Sequence, residues 1–163
     1  MKLVVFDLDF TLWDCGGTYC DCTFPPYSWK KSSVTDSDGA VIRLYDDVYE
    51  ILEMLDADGV MMAIASRTTT PHWARELLDL LGIAPFFSFS EIYPDSKLTH
   101  FSRLHQQSGV PFQQMLFFDD EYRNIDEVGE LGVNVVHVKN GLNKNLFDSG
   151  HELLKLQMKS YGS

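Results

Sequence analysis

Two aspartates, Asp7 and Asp9, follow directly after an apolar run at the start of the chain, residues 3–6. An uninterrupted apolar run of this length is typical of a strand that is covered on both faces, as in the parallel sheets of α/β proteins. The carboxyl ends of such strands form the edge at which these proteins bind ligands. Because neighbouring carboxylates raise each other's pKa unless a cation neutralises them, the pattern predicts a cation-binding site where the first strand ends.

A second pair of acids, Asp119 and Asp120, follows another apolar run, residues 115–118. Chance placement on solvated surfaces does not account for acids at the ends of two separate strands, so we interpret both pairs as parts of one site. Mg²⁺ prefers hard oxygen ligands and is usually held by one or two carboxylates together with substrate phosphate and water. We therefore predict magnesium as the cofactor, bound by Asp7, Asp119 and Asp120.

Ser66 and Lys97 lie between the acidic pairs in the sequence and could complete a phosphate site. Ser66 follows the apolar run 60–65, where a hydroxyl and the next main-chain amides can donate hydrogen bonds to phosphoryl oxygens. Lys97 stands near the start of a predicted helix, where the dipole disfavours a cation unless nearby carboxylates offset it. Taken alone, each residue also fits an ordinary loop serine or a solvated lysine, and only the combination with two acidic pairs favours a site.

Apolar runs alternate with helical patterns along the chain, which predicts an α/β fold. The predicted strands are residues 3–6, 60–65, 86–89, 115–118 and 133–138. The predicted helices are residues 46–58, 71–81, 97–105 and 123–131, and a last one that ends at residue 158. We expect the strands to form a central parallel sheet with helices on both faces.

Composition and charge exclude several classes of protein. A hydrophobic content of 45% excludes disorder, and no apolar run approaches the ~20 residues of a membrane span. The net charge of −11 opposes binding to nucleic acid or to anionic lipid, because both need neutralising cations. The sequence passes from Lys2 directly into strand residues without the pattern of a signal peptide, so we expect a cytoplasmic protein. As a separate expectation, the protein is a monomer or a weak homodimer.

Residues 14–45 differ in character from the rest of the chain because turn-forming residues interrupt short apolar pieces. Asp38-Gly39, followed by residues 40–45, predicts a hairpin turn that leads into an edge strand. An insertion of about thirty residues is smaller than the ~50 residues of most independent domains. We therefore predict one domain over residues 1–163, with a short antiparallel flap at about 14–45 and an open site.

Three cysteines, Cys15, Cys20 and Cys22, lie in one short segment of the flap. A closed zinc site needs four ligands, and this spacing lacks a fourth cysteine or a nearby histidine, although Asp14 and Asp21 could complete a set. Reduced thiols that line a loop are the simpler interpretation for a cytosolic protein with an odd cysteine count. Both interpretations stay open at the level of sequence.

In their order along the chain, these residues resemble the four motifs of the haloacid-dehalogenase (HAD) superfamily: Asp-x-Asp-x-Thr at 7–11, Ser66, Lys97 and Asp119-Asp120. A more specific similarity, to the magnesium-dependent phosphatase-1 family, rests on residues 12–13, 65–68, 91–94, 96–97, 99–101 and 117–121. The resemblance spans nearly the whole chain and implies a three-layer Rossmann-like (HAD-like) fold in which the flap replaces a cap domain. It also implies magnesium-dependent hydrolysis of phosphomonoesters, either protein phosphotyrosine or phosphorylated sugar adducts.

The same resemblance implies a role for each site residue. Asp7 is the expected nucleophile, which forms an aspartyl-phosphate. Asp9 is the expected acid and then base, with its main-chain carbonyl as a further magnesium ligand. The phosphoryl group is expected to contact Ser66, Arg67 and Lys97. The full set of predicted substrate contacts is Leu8, Phe10, Trp13, Ser66, Arg67 and Lys97.

Specificity in an open site has to come from the residues around the strand ends, and aromatic side chains there could stack on planar groups or sugars. The candidates for such a rim are Trp13, Phe24, Tyr27, Trp29, Arg67, His72 and Tyr93. The alternative is that the aromatic residues pack the flap onto the core.

Other functions share part of this pattern. A signalling receiver domain also uses acids, a serine or threonine and a lysine on a parallel sheet, but its paired acids come after the first strand and its phosphoacceptor ends a middle strand. A mutase needs a closing cap to exclude water, and a dehalogenase attacks carbon without magnesium. A non-catalytic scaffold would require the whole pattern to be coincidence.

Overall fold

The computed structural model describes residues 2–30 and 33–161. Its strands and helices, in chain order, are β1 (Leu3–Phe6), β2 (Trp13–Asp14), β3 (Ser28–Lys30), β4 (Ser33–Thr35), β5 (Val41–Leu44), α1 (Val48–Ala57), β6 (Met61–Ser66), α2 (Pro71–Leu80), β7 (Phe89–Ile92), α3 (Lys97–Ser108), β8 (Met115–Asp119), α4 (Tyr122–Gly129), β9 (Asn134–His137) and α5 (Lys144–Tyr161).

Five parallel strands form the central sheet within the described residues, in the order β7-β6-β1-β8-β9. β1 lies in the middle and pairs with β6 and β8, so that Phe6 stands opposite both Ile64 and Phe118. Because the strands are parallel and in this register, the residues that follow β1, β6 and β8 emerge side by side at one edge. The prediction of an α/β fold with a central parallel sheet is confirmed.

Helices cover both faces of this sheet, which explains why β1 is apolar at every position. Val4 and Phe6 pack in a core shared with α1, α2 and α5, whereas Leu3 and Val5 pack in a second core shared with α3 and α4. Burial of such side chains contributes roughly 1.5 to 3 kcal/mol each. No helix of the described chain is both long enough and apolar enough to cross a membrane.

The flap forms a second, antiparallel sheet, in which the described strands follow the order β2-β5-β4-β3. Trp13 pairs with Leu44, which joins the start of the insertion to its end. The turn between β4 and β5 contains Asp36, whose carboxylate accepts hydrogen bonds from the amides of Asp38 and Ala40 at 3.0 and 2.9 Å. The predicted antiparallel flap is therefore present. The division of the chain into one domain with this insertion stays a prediction.

The strand predicted at residues 86–89 is wrong in position. Residues Ala84–Phe86 form a short 3-10 turn, and β7 begins only at Phe89 and continues past Glu91 to Ile92. A buried acid breaks the apolar pattern of β7, and it is accommodated because its carboxylate accepts a hydrogen bond from Gln107 Nε2 at 2.7 Å. Sequence periodicity cannot reveal such a long-range partner.

Candidate active site

The chain turns sharply after β1 and thereby places both aspartates at the sheet edge. The carbonyl of Leu8 accepts hydrogen bonds from the three amides of residues 11–13, at 2.9 to 3.3 Å. Phe10 adopts a φ of +61°, in the left-handed region that non-glycine residues rarely occupy. Strained residues of this kind persist only where their surroundings enforce them, and they cluster at functional sites. The turn keeps Asp7 and Asp9 beside the same cavity.

A buried ion-pair network joins the ends of three strands. Lys97, only 1% exposed, donates to Asp7 Oδ1 at 3.0 Å and lies 3.2 Å from Asp119 Oδ2. Its ammonium group also donates to the carbonyl of Ala65 in β6. Lys97 is the first residue of α3, and the side chain of Ser96 caps this helix by accepting from the amide of Leu98 at 3.0 Å. The predicted approach of Lys97 to a carboxylate cluster is therefore found in the structure.

The pKa values of the buried acids at this site are raised by burial first and by neighbouring charges second. Burial opposes the charged form of Lys97, yet Asp7 and Asp119 together raise its pKa above the ordinary value. Burial, and then the neighbouring Asp7, raise the pKa of Asp119 to about 6 and that of Asp120 to about 9. These shifts indicate that a further cation would stabilise the carboxylates in their charged form.

The acids at the ends of β1 and β8 are close enough to share a metal ion. One carboxylate oxygen from each of Asp7, Asp119 and Asp120 lies within 4.8 Å of the others, and no further group of three or more potential ligands occurs in the described chain. Hard oxygen donors of this number suit Mg²⁺. The carboxylate of Asp9 is not part of the group.

The Asp9 carboxylate is instead held by the flap. Its Oδ1 accepts hydrogen bonds from Trp13 Nε1 at 2.7 Å, from the main-chain amide of Cys20 at 2.9 Å and from Cys15 Sγ at 3.8 Å. Burial raises the pKa of Asp9, although the bonds from Trp13 and Cys20 lower it in part. A carboxyl group that is fixed in this way and has a raised pKa can carry a proton to or from a ligand in the cavity.

Residues with hydrogen-bond donors line the cavity at the end of β6. Ser66 is buried, and its Oγ accepts from the amide of Thr68 at 3.3 Å. The guanidinium of Arg67 donates to Asn124 Oδ1 at 3.4 Å, and Asn124 in turn donates to Asp119 Oδ2 at 3.0 Å. Asn124 thereby connects the loop after β6 with the acids after β8.

One cavity of about 360 Å³ collects these groups, a volume within the range of small-molecule sites. Its lining residues are Asp7, Asp9, Tyr19, Asp21, Ser66, Arg67, Thr68, Lys97, Asp120, Glu121, Arg123 and Asn124. Tyr19, Arg123 and Asn124 are not among the site residues predicted from the sequence. Arg123 and Asn124 could have been predicted from their position in the sequence. A helix that begins directly after the acid pair at a strand end turns its first residues toward that edge of the sheet.

Three of the predicted substrate contacts do not line the cavity. Trp13 is fully buried, because its indole donates to Asp9 inside the protein. The structure therefore corrects the prediction that Trp13 lies on the rim of the site. The side chain of Leu8 is also fully buried. Phe10 lies outside the lining and makes an edge-to-face contact with Tyr19, at 5.2 Å between ring centroids.

The wider aromatic rim is not found either. Phe24 and Trp29 are 57% and 54% exposed but do not line the cavity, and Tyr27 is buried with its hydroxyl 2.6 Å from that of Thr23. His72 and Tyr93 also lie outside the lining. Only Arg67 of the predicted rim, together with the unforeseen Tyr19, borders the cavity.

The cysteines behave as separate side chains. Cys15 and Cys20 are buried, and burial raises the pKa of both thiols far above the ordinary range, whereas Cys22 is exposed. The three do not form a metal-ligand cluster with other described residues. This geometry favours the interpretation as reduced thiols over the zinc site.

Comparisons with known proteins agree with this geometry. The sequence model of a family described as Acid Phosphatase matches residues 1–156. Magnesium-dependent phosphatase 1 of Homo sapiens is 48% identical over 155 residues, which cover 93% of this chain and 85% of that protein. A HAD-like hydrolase superfamily protein of Schizosaccharomyces pombe is 36% identical over 162 residues, which cover 92% and 94% of the two chains. The fold is shared with a HAD-superfamily hydrolase from Ehrlichia chaffeensis, at a TM-score of 0.66, 17% identity and coverage of 96% and 98%.

Proposed function

The chain belongs to the acid phosphatase family within the HAD superfamily, and we propose that this magnesium-dependent phosphatase hydrolyses phosphomonoesters through an aspartyl-phosphate on Asp7. The observation that carries the proposal is the buried network in which Lys97 joins Asp7 and Asp119 beside a cavity that Ser66 also lines. A nucleophile, a phosphate-binding hydroxyl and cations thus face one space.

The donor set fits magnesium. Asp7, Asp119 and Asp120 would hold the ion, together with the main-chain carbonyl of Asp9. The raised pKa values of Asp119 and Asp120 support this assignment, because a divalent cation stabilises the charged form of acids that lie close together. Bound magnesium supplies charge neutralisation for the phosphoryl group, whose hydrolysis needs positioning and electrostatic stabilisation above all.

Asp7 suits the role of nucleophile because its carboxylate is fixed at both oxygens. Oδ1 accepts from Lys97 at 3.0 Å, and Oδ2 accepts from Thr11 Oγ1 at 3.4 Å. Attack of an Asp7 oxygen on phosphorus forms a new P–O bond while the bond to the alcohol oxygen breaks. Lys97 stays beside the reacting carboxylate and offsets the negative charge that gathers there.

Asp9 and Ser66 supply the remaining steps. Asp9, which lines the cavity and has a raised pKa, gives its proton to the leaving oxygen. In the second half-reaction it takes a proton from the water that attacks the aspartyl-phosphate. The Ser66 hydroxyl and the main-chain amide of Arg67 hold phosphoryl oxygens in both halves.

The first test compares phosphate release from 4-nitrophenyl phosphate by the parent and by Asp7→Asn, with and without magnesium. The parent should turn over many times only with magnesium, and Asp7→Asn should lose activity at least roughly 10³-fold while its unfolding temperature stays close to that of the parent. Asp58→Asn, at an exposed position after α1, is the matched control and should keep full activity. Substantial turnover by Asp7→Asn would contradict the assignment, and a single stable phosphorylation would favour the receiver-like alternative.

For substrates, we propose aryl phosphates, phosphotyrosine peptides or phosphorylated sugar adducts. The polar lining supports this range, because Tyr19, Arg67, Arg123 and Glu121 offer a ring, two cations and an anion to a leaving group. A panel of esters ranked by kcat/KM tests the proposal. A strong preference for small alkyl phosphates over all three classes would contradict it.

A further inference from the structure

The turn Cys20–Cys22 in the flap has contacts that the proposed mechanism does not use. It is attached to the catalytic edge at two places, although it belongs to none of the three strands that end there. Cys20 is fully buried, and Cys22, two residues later, is exposed. The first cysteine therefore has a constrained position that the second lacks.

The first attachment is to Asp9. The main-chain amide of Cys20 and the indole of Trp13 both donate to Oδ1 of Asp9, at 2.9 and 2.7 Å. Both N–H donors bind the same oxygen of the Asp9 carboxylate, and Asp9 lines the cavity. The two donors thus fix the orientation of this carboxyl group beside the substrate.

The second attachment is to the loop after β6. The thiol of Cys20 lies 3.3 Å from Thr68 Oγ1, and the amide of Thr68 donates to Ser66 Oγ at 3.3 Å. The next residue of the turn, Asp21, accepts a bond from Thr69 Oγ1 at 3.0 Å. Cys20 and Thr68 are both buried, so solvent does not compete for their contact.

We propose that Cys20 is a positioning residue that fixes the acid Asp9 and the phosphate-binding loop 66–68 relative to each other. Its amide holds Asp9, and its thiol holds Thr68 and, through it, Ser66. This inference rests on the proposed function, because it assigns a role to the flap in the same reaction. Through Cys20, the flap then holds the catalytic groups Asp9 and Ser66 in fixed positions.

The contacts of Cys20 should affect both the binding of the phosphoryl group and the protonation of the leaving oxygen. Loss of the thiol contact frees the loop at Ser66, so the phosphoryl group is held less firmly. Loss of a donor to Oδ1 lets the Asp9 carboxyl rotate, so protonation of the leaving oxygen becomes less effective. An ester with a poor leaving group depends on that proton more than 4-nitrophenyl phosphate does.

The test uses Cys20→Ala, Cys20→Ser and Trp13→Phe, with Cys22→Ala as the matched control in the same turn. Two quantities are measured: the inhibition constant of inorganic phosphate, and the ratio of kcat/KM for 4-nitrophenyl phosphate to that for phenyl phosphate. Thr68→Val cuts the thiol contact from the other side and replaces Cys20→Ala if that variant does not fold.

We expect Cys20→Ala to raise the inhibition constant of phosphate about fivefold, which corresponds to the loss of one hydrogen bond. This variant keeps the main-chain amide that donates to Asp9, so its ester ratio should stay near that of the parent. Cys20→Ser keeps a hydroxyl for Thr68 and should restore the inhibition constant to near that of the parent. Trp13→Phe removes the indole donor to Asp9 and leaves the contact between Cys20 and Thr68 in place, so it should change the ester ratio and not the inhibition constant. Cys22→Ala should match the parent in both.

A cysteine that only fills the core would lower the unfolding temperature and leave both quantities unchanged, and that result would overturn the inference. Equal behaviour of Cys20→Ala and Cys22→Ala would overturn it as well. The proposed function fails in a different way, namely if the parent itself shows no magnesium-dependent turnover of either ester.

Discussion

A single buried ammonium group, Lys97, sets the charge balance of the site. It contacts two of the acids, Asp7 and Asp119, at 3.0 and 3.2 Å, and it lies over the ring of Phe117 at 5.4 Å from the centroid. Breaking a buried ion pair by removal of one partner leaves an uncompensated charge, which is far more costly than the loss of a surface pair. Lys97 therefore serves the stability of the protein as well as its proposed chemistry.

We predict that Lys97→Met lowers the free energy of unfolding by about 3 to 5 kcal/mol and abolishes turnover. Urea unfolding and the 4-nitrophenyl phosphate assay measure the two effects. The control is Lys144→Met, which breaks an exposed 2.7 Å pair with Glu50 and should leave the free energy of unfolding nearly unchanged. Equal stability of the two variants would contradict the role given to Lys97.

At the scale of elements, the order of the strands brings the catalytic groups together. β1 lies between β6 and β8, so the residues after these three strands meet without any long loop. This part of the site was predictable from sequence, because each apolar run stops at a polar residue. Ser66 and Asp119, predicted as residues of the site, are the last residues of β6 and β8.

Other features were not predictable from local patterns. The rim role expected for Trp13 was wrong because the turn at Phe10 directs the indole inward to Asp9. Tyr19 was missed because nothing in the sequence of the flap indicates that this residue borders the cavity. In each case a contact between distant elements decides the outcome, and hydrophobic periodicity contains no information about it.

The helix α3 carries a pH-dependent contact that can be tested. His100 is fully buried, and its Nε2 lies 3.0 Å from the carbonyl of Tyr93. Burial, and then the nearby charge of Lys97, lower the pKa of His100 to about 4. In the unfolded chain histidine takes up its proton near pH 6.5, so between these two pH values the unfolded state binds more protons than the folded state.

Stability should therefore fall as the pH falls from 6.5 to 4, and protonation of His100 should account for about 3 kcal/mol of that loss. His100→Gln can keep a donor to Tyr93 but cannot be protonated, so its free energy of unfolding should depend less steeply on pH in this range. His72→Gln, at an exposed position, should follow the parent. Identical slopes for the parent and His100→Gln would contradict the prediction.

At the scale of the whole molecule, a chain of net charge −11 concentrates acids at its cavity. Because the folded state raises the pKa of Asp119 and Asp120, it binds more protons than the unfolded state above pH 4. Without metal, these two acids should make the protein less stable as the pH rises, until each has lost its proton in the folded state, near pH 6 and pH 9. Magnesium should reverse this trend, because metal binding requires the deprotonated carboxylates.

We predict that magnesium raises the unfolding temperature, and that the rise is larger at pH 8 than at pH 6. At a concentration 100 times the dissociation constant the gain is about 2.7 kcal/mol. Asp120→Asn should lose most of the effect, whereas Glu130→Gln, an exposed acid after α4, should keep it. Differential scanning calorimetry with magnesium or a chelator measures it, and an equal rise for parent and Asp120→Asn would contradict the proposed ligand set.

The most direct test of the central claim is the chemical capture of phosphate on Asp7. In Asp9→Asn, 4-nitrophenyl phosphate should still phosphorylate Asp7, because its leaving group needs little protonation, but hydrolysis of the intermediate should be slow. Rapid mixing should show a burst of about one nitrophenolate per protein molecule. Acid quenching followed by peptide mass spectrometry should place the phosphate on Asp7. A burst with phosphate on another residue, or turnover without any phosphorylated protein, would contradict the account.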